Sequence, residues 1–132
     1  MKTKPKLLVI EDELENQKYI ELILRQKFNI DFCDNKKSMF EFLAEEEYDS
    51  IIMDITLKGD SSGLDLIKEI KRKPLYKNIP IICLSAHTDL QDKSKAEKAG
   101  AEIFITKPVS PKALLTALGK VIKVDSGESR KN

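Results

Sequence analysis

Lys6-Leu7-Leu8-Val9-Ile10 runs straight into Glu11-Asp12, and from Glu13 to Lys27 the apolar residues Ile20, Ile23 and Leu24 gather on one helical face. A short apolar run reads as a buried strand, and apolar residues three or four apart read as an amphipathic helix. This strand-then-helix unit recurs along the chain. Asn29-Ile30-Asp31-Phe32-Cys33 alternates polar and apolar, as a half-buried strand near a sheet edge does. Lys36 to Glu47 carries Met39, Phe40, Leu43 and Ala44 at helical spacing, and Ser50 to Met53 is a third strand. A turn-rich stretch, Lys58 to Gly63, leads into a helix from Leu64 to Arg72. Ile79 to Leu84 is a fourth strand. Thr88 to Ala99 is a strongly polar helix that Gly100 suits as a C-cap. Glu102 to Ile105 is a fifth strand. The last helix opens with Ser110 as N-cap and Pro111 at its first position, and carries Leu114, Leu115, Leu118, Val121 and Ile122 on one face.

Five strands alternating with five helices predict an α/β fold with parallel pairing and helices on both faces. Right-handed crossovers then give a doubly wound, flavodoxin-like, five-stranded sheet with strand order 2-1-3-4-5. Ligands of such sheets bind beyond the carboxyl ends of the strands. The predicted domain covers residues 1–123. Residues 124–132, Val-Asp-Ser-Gly-Glu-Ser-Arg-Lys-Asn, read as a polar tail or the start of a linker.

The 132 residues fit one domain with a sizeable core. Lys plus Arg is 23 and Asp plus Glu is 22, so the net charge of +1 gives no global field toward nucleic acid or an anionic membrane. The longest apolar run, Ile79 to Leu84, is six residues, far short of the roughly 20 that span a bilayer. The basic start, Met1 to Lys6, leads into too few apolar residues for a signal peptide, so the expected location is cytoplasmic. Cys33 and Cys83 each end an apolar run and read as buried, reduced thiols. A single histidine, His87, excludes a multi-histidine metal site.

Four strand ends carry the chemistry. Glu11-Asp12 follows the first strand, Asp54 the third, Ser85 the fourth and Lys107-Pro108 the fifth. With strands 1, 3, 4 and 5 adjacent in the predicted order, these side chains converge on one crevice. Like charges at about 5 Å repel by about 3 kcal/mol at an effective dielectric of 20. Such a cluster is tolerated when a cation binds or a carboxylate keeps its proton. A few carboxylates with water completing the octahedron suit Mg²⁺. A carboxylate nucleophile, a divalent ion, a lysine and a hydroxyl are the parts of phosphoryl transfer to an acyl phosphate. Each piece alone is commonly a cap or turn residue; the conjunction at the right strand ends is specific. A flavin or nucleotide enzyme on the same fold is disfavoured. Glu11-Asp12-Glu13 stands where a phosphate loop would be, and no G-x-G-x-x-G or Walker pattern occurs. The alternative of a different class is a phosphorylation-independent interaction module.

Residues 5–123 resemble the receiver domain of two-component response regulators. The resemblance rests on Leu7 to Asp12, Ile51 to Leu57, Gly63 to Ile67, Ile79 to Ala86 and Gly100 to Pro108. It implies a phosphorylation-controlled switch rather than an enzyme, with self-catalysed phosphoryl transfer and slow autodephosphorylation. The implied phosphodonor is a histidine kinase or a histidine phosphotransfer protein. By the same resemblance Asp54 matches the phosphoacceptor. Asp12 and Glu11 match ligands of Mg²⁺ (Mn²⁺ as a substitute), together with Asp54 and the backbone carbonyl of Thr56. Lys107 matches the lysine that pairs with the phosphoryl group, expected to be idle until that group arrives. Ser85 and Phe104 match the two switch positions. The side chains of Thr56 and His87, each two residues beyond a site residue, are expected to tune the acyl-phosphate lifetime. Two departures stand out: Lys58 replaces a frequent proline in a slightly longer loop, and the aromatic switch residue is Phe rather than Tyr. The expected output surface is the face of helix 88–99, strand 102–105 and helix 110–123. Homodimerisation through that face is compatible with the sequence but not required by Phe104. No direct contact with nucleic acid or membrane is expected.

Overall fold

Apolar runs with β-branched residues form the strands, and amphipathic runs close over them in a computed structural model that describes residues 4–56, 62–86 and 90–122. The loop around Lys58, His87, the first residues of the predicted helix 88–99 and the tail 124–132 lie outside the described residues, as does the side chain of Leu90. The strands are β1 (Lys6–Ile10), β2 (Asn29–Cys33), β3 (Ser50–Asp54), β4 (Ile81–Ser85) and β5 (Ile103–Thr106). The helices are α1 (Leu14–Leu24), α2 (Lys36–Glu45), α3 (Gly63–Arg72), α4 (Leu90–Ala99) and α5 (Pro111–Val121). All pairings are parallel, in the order β2-β1-β3-β4-β5, as the alternation predicts.

Strand alternation sends side chains to two cores. Leu8, Ile10, Ile51, Met53, Ile81 and Cys83 meet Met39, Leu66, Ile67 and Ile70 under α2 and α3. Leu7, Val9, Ile52, Ile82 and Leu84 meet Ile20, Leu24, Leu114 and Leu118 under α1 and α5. Every residue of β3 and β4 is buried, while β2 and β5 are largely half-buried, as edge strands are. Both cysteines are free and buried, and burial pushes each thiol up to about 12.

The ends of several elements differ from the sequence reading for local reasons. β4 begins at Ile81 rather than Ile79, because Pro80 has no N–H to give the ladder. Its carbonyl instead accepts from Ile51 N at 2.9 Å and Ser50 Oγ at 3.0 Å. β5 begins at Ile103: the Glu102 N–H still donates to the Ile81 carbonyl at 2.9 Å, but the Ile81 N–H goes to Glu102 Oε1 at 2.7 Å instead of a backbone carbonyl. α1 stops at Leu24 rather than Lys27, where the N–H groups of Lys27 and Phe28 both turn to the Leu24 carbonyl. Asn35, Ser62 and Ser110 cap α2, α3 and α5 with side-chain oxygens. Gly100 takes φ +119° after α4, a conformation that favours glycine.

Candidate functional site

Two strand ends bring the three carboxylates together. Parallel β1 and β3 finish side by side, Ile10 opposite Met53, so Glu11 and Asp12 emerge next to Asp54. One carboxylate oxygen from each of the three lies within 4.8 Å of the others. Glu11 is 1% exposed and Asp54 is 2% exposed, and Asp12 is half-buried. Backbone closeness at Gly63 helps to set this geometry. A Cβ there would stand 2.4 Å from the Asp54 carbonyl oxygen and 2.5 Å from Ile55 Cα, so the start of α3 presses directly on the end of β3.

Lys107 is the cation of the site. Its Nζ donates to Asp54 Oδ2 at 2.9 Å and lies 3.6 Å from Glu11 Oε1. The expectation that Lys107 idles until a phosphoryl group arrives is therefore wrong. Two buried carboxylates at this distance require a counter-charge, and the lysine reaches it from the turn after β5. Burial works against the ammonium, but the hydrogen bond and charge of Asp54, with the charge of Glu11, outweigh it and raise its pKa. For Asp54, burial works against ionisation, but two hydrogen bonds from Thr56 and the Lys107 ammonium prevail and hold the carboxyl below its usual range. Glu11 goes the other way: burial first, then the charge of Asp54, raise it against the Glu13 N–H, Lys107 and Asn16. The pair is split into an ionised Asp54 and a Glu11 that gives up its proton less readily.

Thr56 has a role that the sequence did not disclose. Its backbone N–H and its hydroxyl both donate to Asp54 Oδ1, at 2.8 and 2.6 Å. Asn16 and Gln17 were also not singled out. Asn16 Nδ2 reaches Glu11 Oε2 at 3.3 Å, and Gln17 Nε2 reaches the Glu11 carbonyl at 2.7 Å. Only their place in the first turns of α1 pointed to the site. Ser85 is fully buried at the end of β4, and its Oγ lies 3.4 Å from Asp92 Oδ2 in the first turn of α4. Phe104 lies on β5 opposite Cys83, half-buried against the core beneath α4. His87 falls outside the described residues.

The donors fit a small, hard dication. Glu11 Oε1 is buried without a hydrogen-bond partner among the described residues, and the other donors are carboxylate oxygens, which suit Mg²⁺. The arrangement is compatible with Mg²⁺ and with phosphorylation of an aspartate.

The family model described as the response regulator receiver domain matches residues 7–119. The chain belongs to that family. The receiver domain is 32% identical over 119 residues to the phosphate regulon transcriptional regulatory protein PhoB of Escherichia coli, covering 89% of this chain and 52% of that protein. It is 35% identical over 126 residues to hybrid signal transduction histidine kinase I of Dictyostelium discoideum, covering 89% of this chain and 7% of that one. The chain thus spans about half the length of the phosphate regulon relatives it matches. Among solved structures, a response regulator of Chloroflexus aurantiacus superposes with TM-score 0.85 at 26% identity, covering 90% of this chain and 98% of that one. The receiver domain of a Pseudomonas aeruginosa sensor histidine kinase, described with a magnesium ion coordinated in its active site cleft, gives TM-score 0.81 at 25% identity, covering 90% and 98%. No helix among the described residues is long and apolar enough to cross a membrane.

Proposed function

We propose that the receiver domain takes a phosphoryl group from the phosphohistidine of a histidine kinase or a histidine phosphotransfer protein onto Asp54. The observation that carries this reading is an aspartate that is 2% exposed yet held ionised, at the meeting point of Glu11, Asp12 and Lys107. A carboxylate oxygen of Asp54 forms the new O–P bond as the P–N bond to the donor imidazole breaks, and the imidazole leaves with the electron pair. Glu11, Asp12, Asp54 and the Thr56 carbonyl would hold Mg²⁺. Once bound, the ion neutralises charge on the transferring phosphoryl oxygens. Lys107, already beside Asp54, shifts its hydrogen bond to a phosphoryl oxygen. The Thr56 hydroxyl and N–H hold Asp54 in position before transfer. The Thr56 side chain then influences how long the acyl phosphate survives, a role the sequence also gives to His87.

The switch follows from Ser85. Its hydroxyl leaves Asp92 for a phosphoryl oxygen, which loosens the first turn of α4 and opens space for Phe104 on the same side of the sheet. α4 is the easiest helix to shift. Its buried side chains among the described residues are the small Ala96 and Ala99. The face of α4, β5 and α5 then changes its affinity for a downstream protein. A phosphorylation-independent interaction module would need none of the ionised, cation-bridged geometry around Asp54. Intact mass after incubation with acetyl phosphate and Mg²⁺ tests the proposal. The parent gains one phosphoryl group, and Asp54→Ala gains none. Equal labelling of that variant refutes the assignment.

A further inference from the structure

The end of the sheet opposite the carboxylates carries a second feature. There, the connection from α2 to β3 and the connection from α3 to β4 run side by side. They wall a groove of about 500 Å³ whose floor is Leu43, Tyr48, Tyr76 and Ile79 and whose rim is Glu45, Glu46 and Glu47. Leu75 stands at the lip with 85% of its surface exposed, the most exposed large apolar side chain among the described residues. A second hollow on the other side of Leu75 is lined by Phe40, Lys73, Pro74 and Tyr76. Leu75 itself sits in a basic segment, Arg72-Lys73-Pro74-Leu75-Tyr76-Lys77.

The charges across this patch are separated and largely unspent. Glu45 and Glu47 are exposed and form no ion pair among the described residues. The same holds for the side chains of Arg72 and Lys77, which flank Leu75 along the chain. Lys73 lies over the Phe40 ring at 5.1 Å and is otherwise unpaired. Glu46 alone is satisfied, by Lys6 at 3.2 Å. The acidic apolar groove calls for an occupant with a large aliphatic side chain flanked by Lys or Arg. The adjoining loop is such a segment. It cannot fold back into its own groove, because it forms that groove's wall. It can enter the groove of a second copy.

We infer that this face joins two copies of the chain about a two-fold axis passing beside Leu75. A patch that runs from acid through leucine to base is self-complementary under a two-fold rotation: the acidic rim of each copy meets the basic loop of the other. Each Leu75 enters the other copy's groove, removing the exposed apolar surface from water. A net charge of +1 leaves little global repulsion against pairing. The contact is small and polar at its edges, so the dimer is weak and salt-sensitive. It leaves the carboxylate site and the α4-β5-α5 face free in both copies. This pairing is independent of the phosphorylation chemistry proposed above and uses a different surface from the one the sequence suggested for a homodimer.

Sedimentation velocity of the whole chain, from micromolar to about 1 mM at low salt, reads the outcome directly. The parent is expected to dimerise with concentration. Leu75→Glu, a change at an exposed residue, should raise the dissociation constant about tenfold or more. Glu45→Lys/Glu47→Lys and Lys73→Glu/Lys77→Glu should each weaken self-association, and mixing the two variants should restore pairing as a heterodimer. A parent that stays monomeric throughout overturns the inference, even if a basic peptide perturbs the groove, since the occupant is then another protein. A dimer that ignores all three variants also overturns it, because it then forms through another face.

Discussion

Replacing Lys107 by Met should expose the electrostatic cost of the site directly. The substitution keeps most of the aliphatic stem and removes the charge. Glu11 and Asp54, 1% and 2% exposed, then share a pocket with carboxylate oxygens within 4.8 Å and no ammonium between them. At that distance and an effective dielectric of 20 the repulsion is about 3.5 kcal/mol. Breaking a buried ion pair by removing one partner costs about 3–5 kcal/mol in general. The site has a way to limit this loss. Glu11, already held above its ordinary 4.5 by burial and by Asp54, can take up a proton. At pH 7 that costs about 1.4 kcal/mol for each unit between 4.5 and 7, or about 3.4 kcal/mol. The loss in EDTA at pH 7 is therefore about 3 kcal/mol, a fall in Tm of roughly 10 °C for a chain of this size.

The same reasoning fixes the sign with pH and with metal. A group whose folded pKa is raised favours folding below its unfolded value and loses that contribution as pH rises. In the variant, Glu11 is that group, so the deficit should shrink as pH falls from 7 to 5, where the protonation cost is under about 1 kcal/mol. Mg²⁺ supplies the missing positive charge, so it should stabilise Lys107→Met by more than it stabilises the parent. At 100 times its dissociation constant the gain is about 2.7 kcal/mol. Thermal and urea unfolding of both proteins in EDTA and in millimolar Mg²⁺, at pH 5 and 7, measures all of this. Equal stability in EDTA at pH 7 would falsify the account. So would a deficit that neither acid nor Mg²⁺ reduces.

Two further outcomes are expected. Gly63→Ala places a methyl group 2.4 Å from the Asp54 carbonyl oxygen and 2.5 Å from Ile55 Cα. Backbone atoms cannot yield as a flexible side chain does, so stability should fall by about 1–3 kcal/mol and the Asp54 amide shift should move; an unchanged spectrum would contradict the close contact. Cys33 and Cys83, pushed up to about 12 from 9.0 by burial, ionise more readily in the unfolded chain, so stability is fully present below pH 9 and lost as pH rises toward 12. At pH 10.5 the two thiols together account for a loss on the order of 4 kcal/mol, with Tyr48 adding to the slope. Urea unfolding between pH 8 and 10.5 should show this, and Cys83→Ala should flatten the slope. A variant slope parallel to the parent's would rule it out.

Sheet order and helix placement were legible because the signals are local and repeated. β3 and β4 are short, apolar through their middles and flanked by helical spacing, so their burial could be read from Ile51-Ile52-Met53 and Ile81-Ile82-Cys83-Leu84. Element ends were less legible where a distant partner decides them. At Glu102 the side chain takes the Ile81 N–H that a backbone carbonyl would otherwise take, and Lys71 Nζ holds the same carboxylate at 3.0 Å. Nothing near position 102 announces Lys71, which comes from the end of α3. Gly63 reads from sequence as one more glycine in a turn. Its requirement arises only when α3 is laid against the end of β3.

The site divides along the same line. Glu11, Asp12, Asp54, Ser85 and Lys107 could be named because each follows a strand, and parallel strands deliver their ends to one place. What those residues do to one another in the resting protein depends on side-chain direction, which spacing does not carry. An acidic cluster predicts repulsion and hence a bound cation or a retained proton, and the sequence places Lys107 in the same crevice without showing that it pairs with Asp54 at rest. A lysine at the end of β5, two strands from β3, is a cation already present at high effective concentration. Its 2.9 Å contact with Asp54 follows from the same electrostatics. Thr56 illustrates the complementary case. Its hydroxyl could have faced solvent from a turn. With one side of Asp54 engaged by Lys107, the second carboxylate oxygen still needs donors in a buried setting, and the N–H and hydroxyl of Thr56 supply two. In the resting site both oxygens of Asp54 are therefore engaged, while Glu11 Oε1 has only the Lys107 charge at 3.6 Å. Lys107 holds Asp54 Oδ2 and Thr56 holds Oδ1, so the same electrostatics that gathers the carboxylates also fixes the direction of the central one.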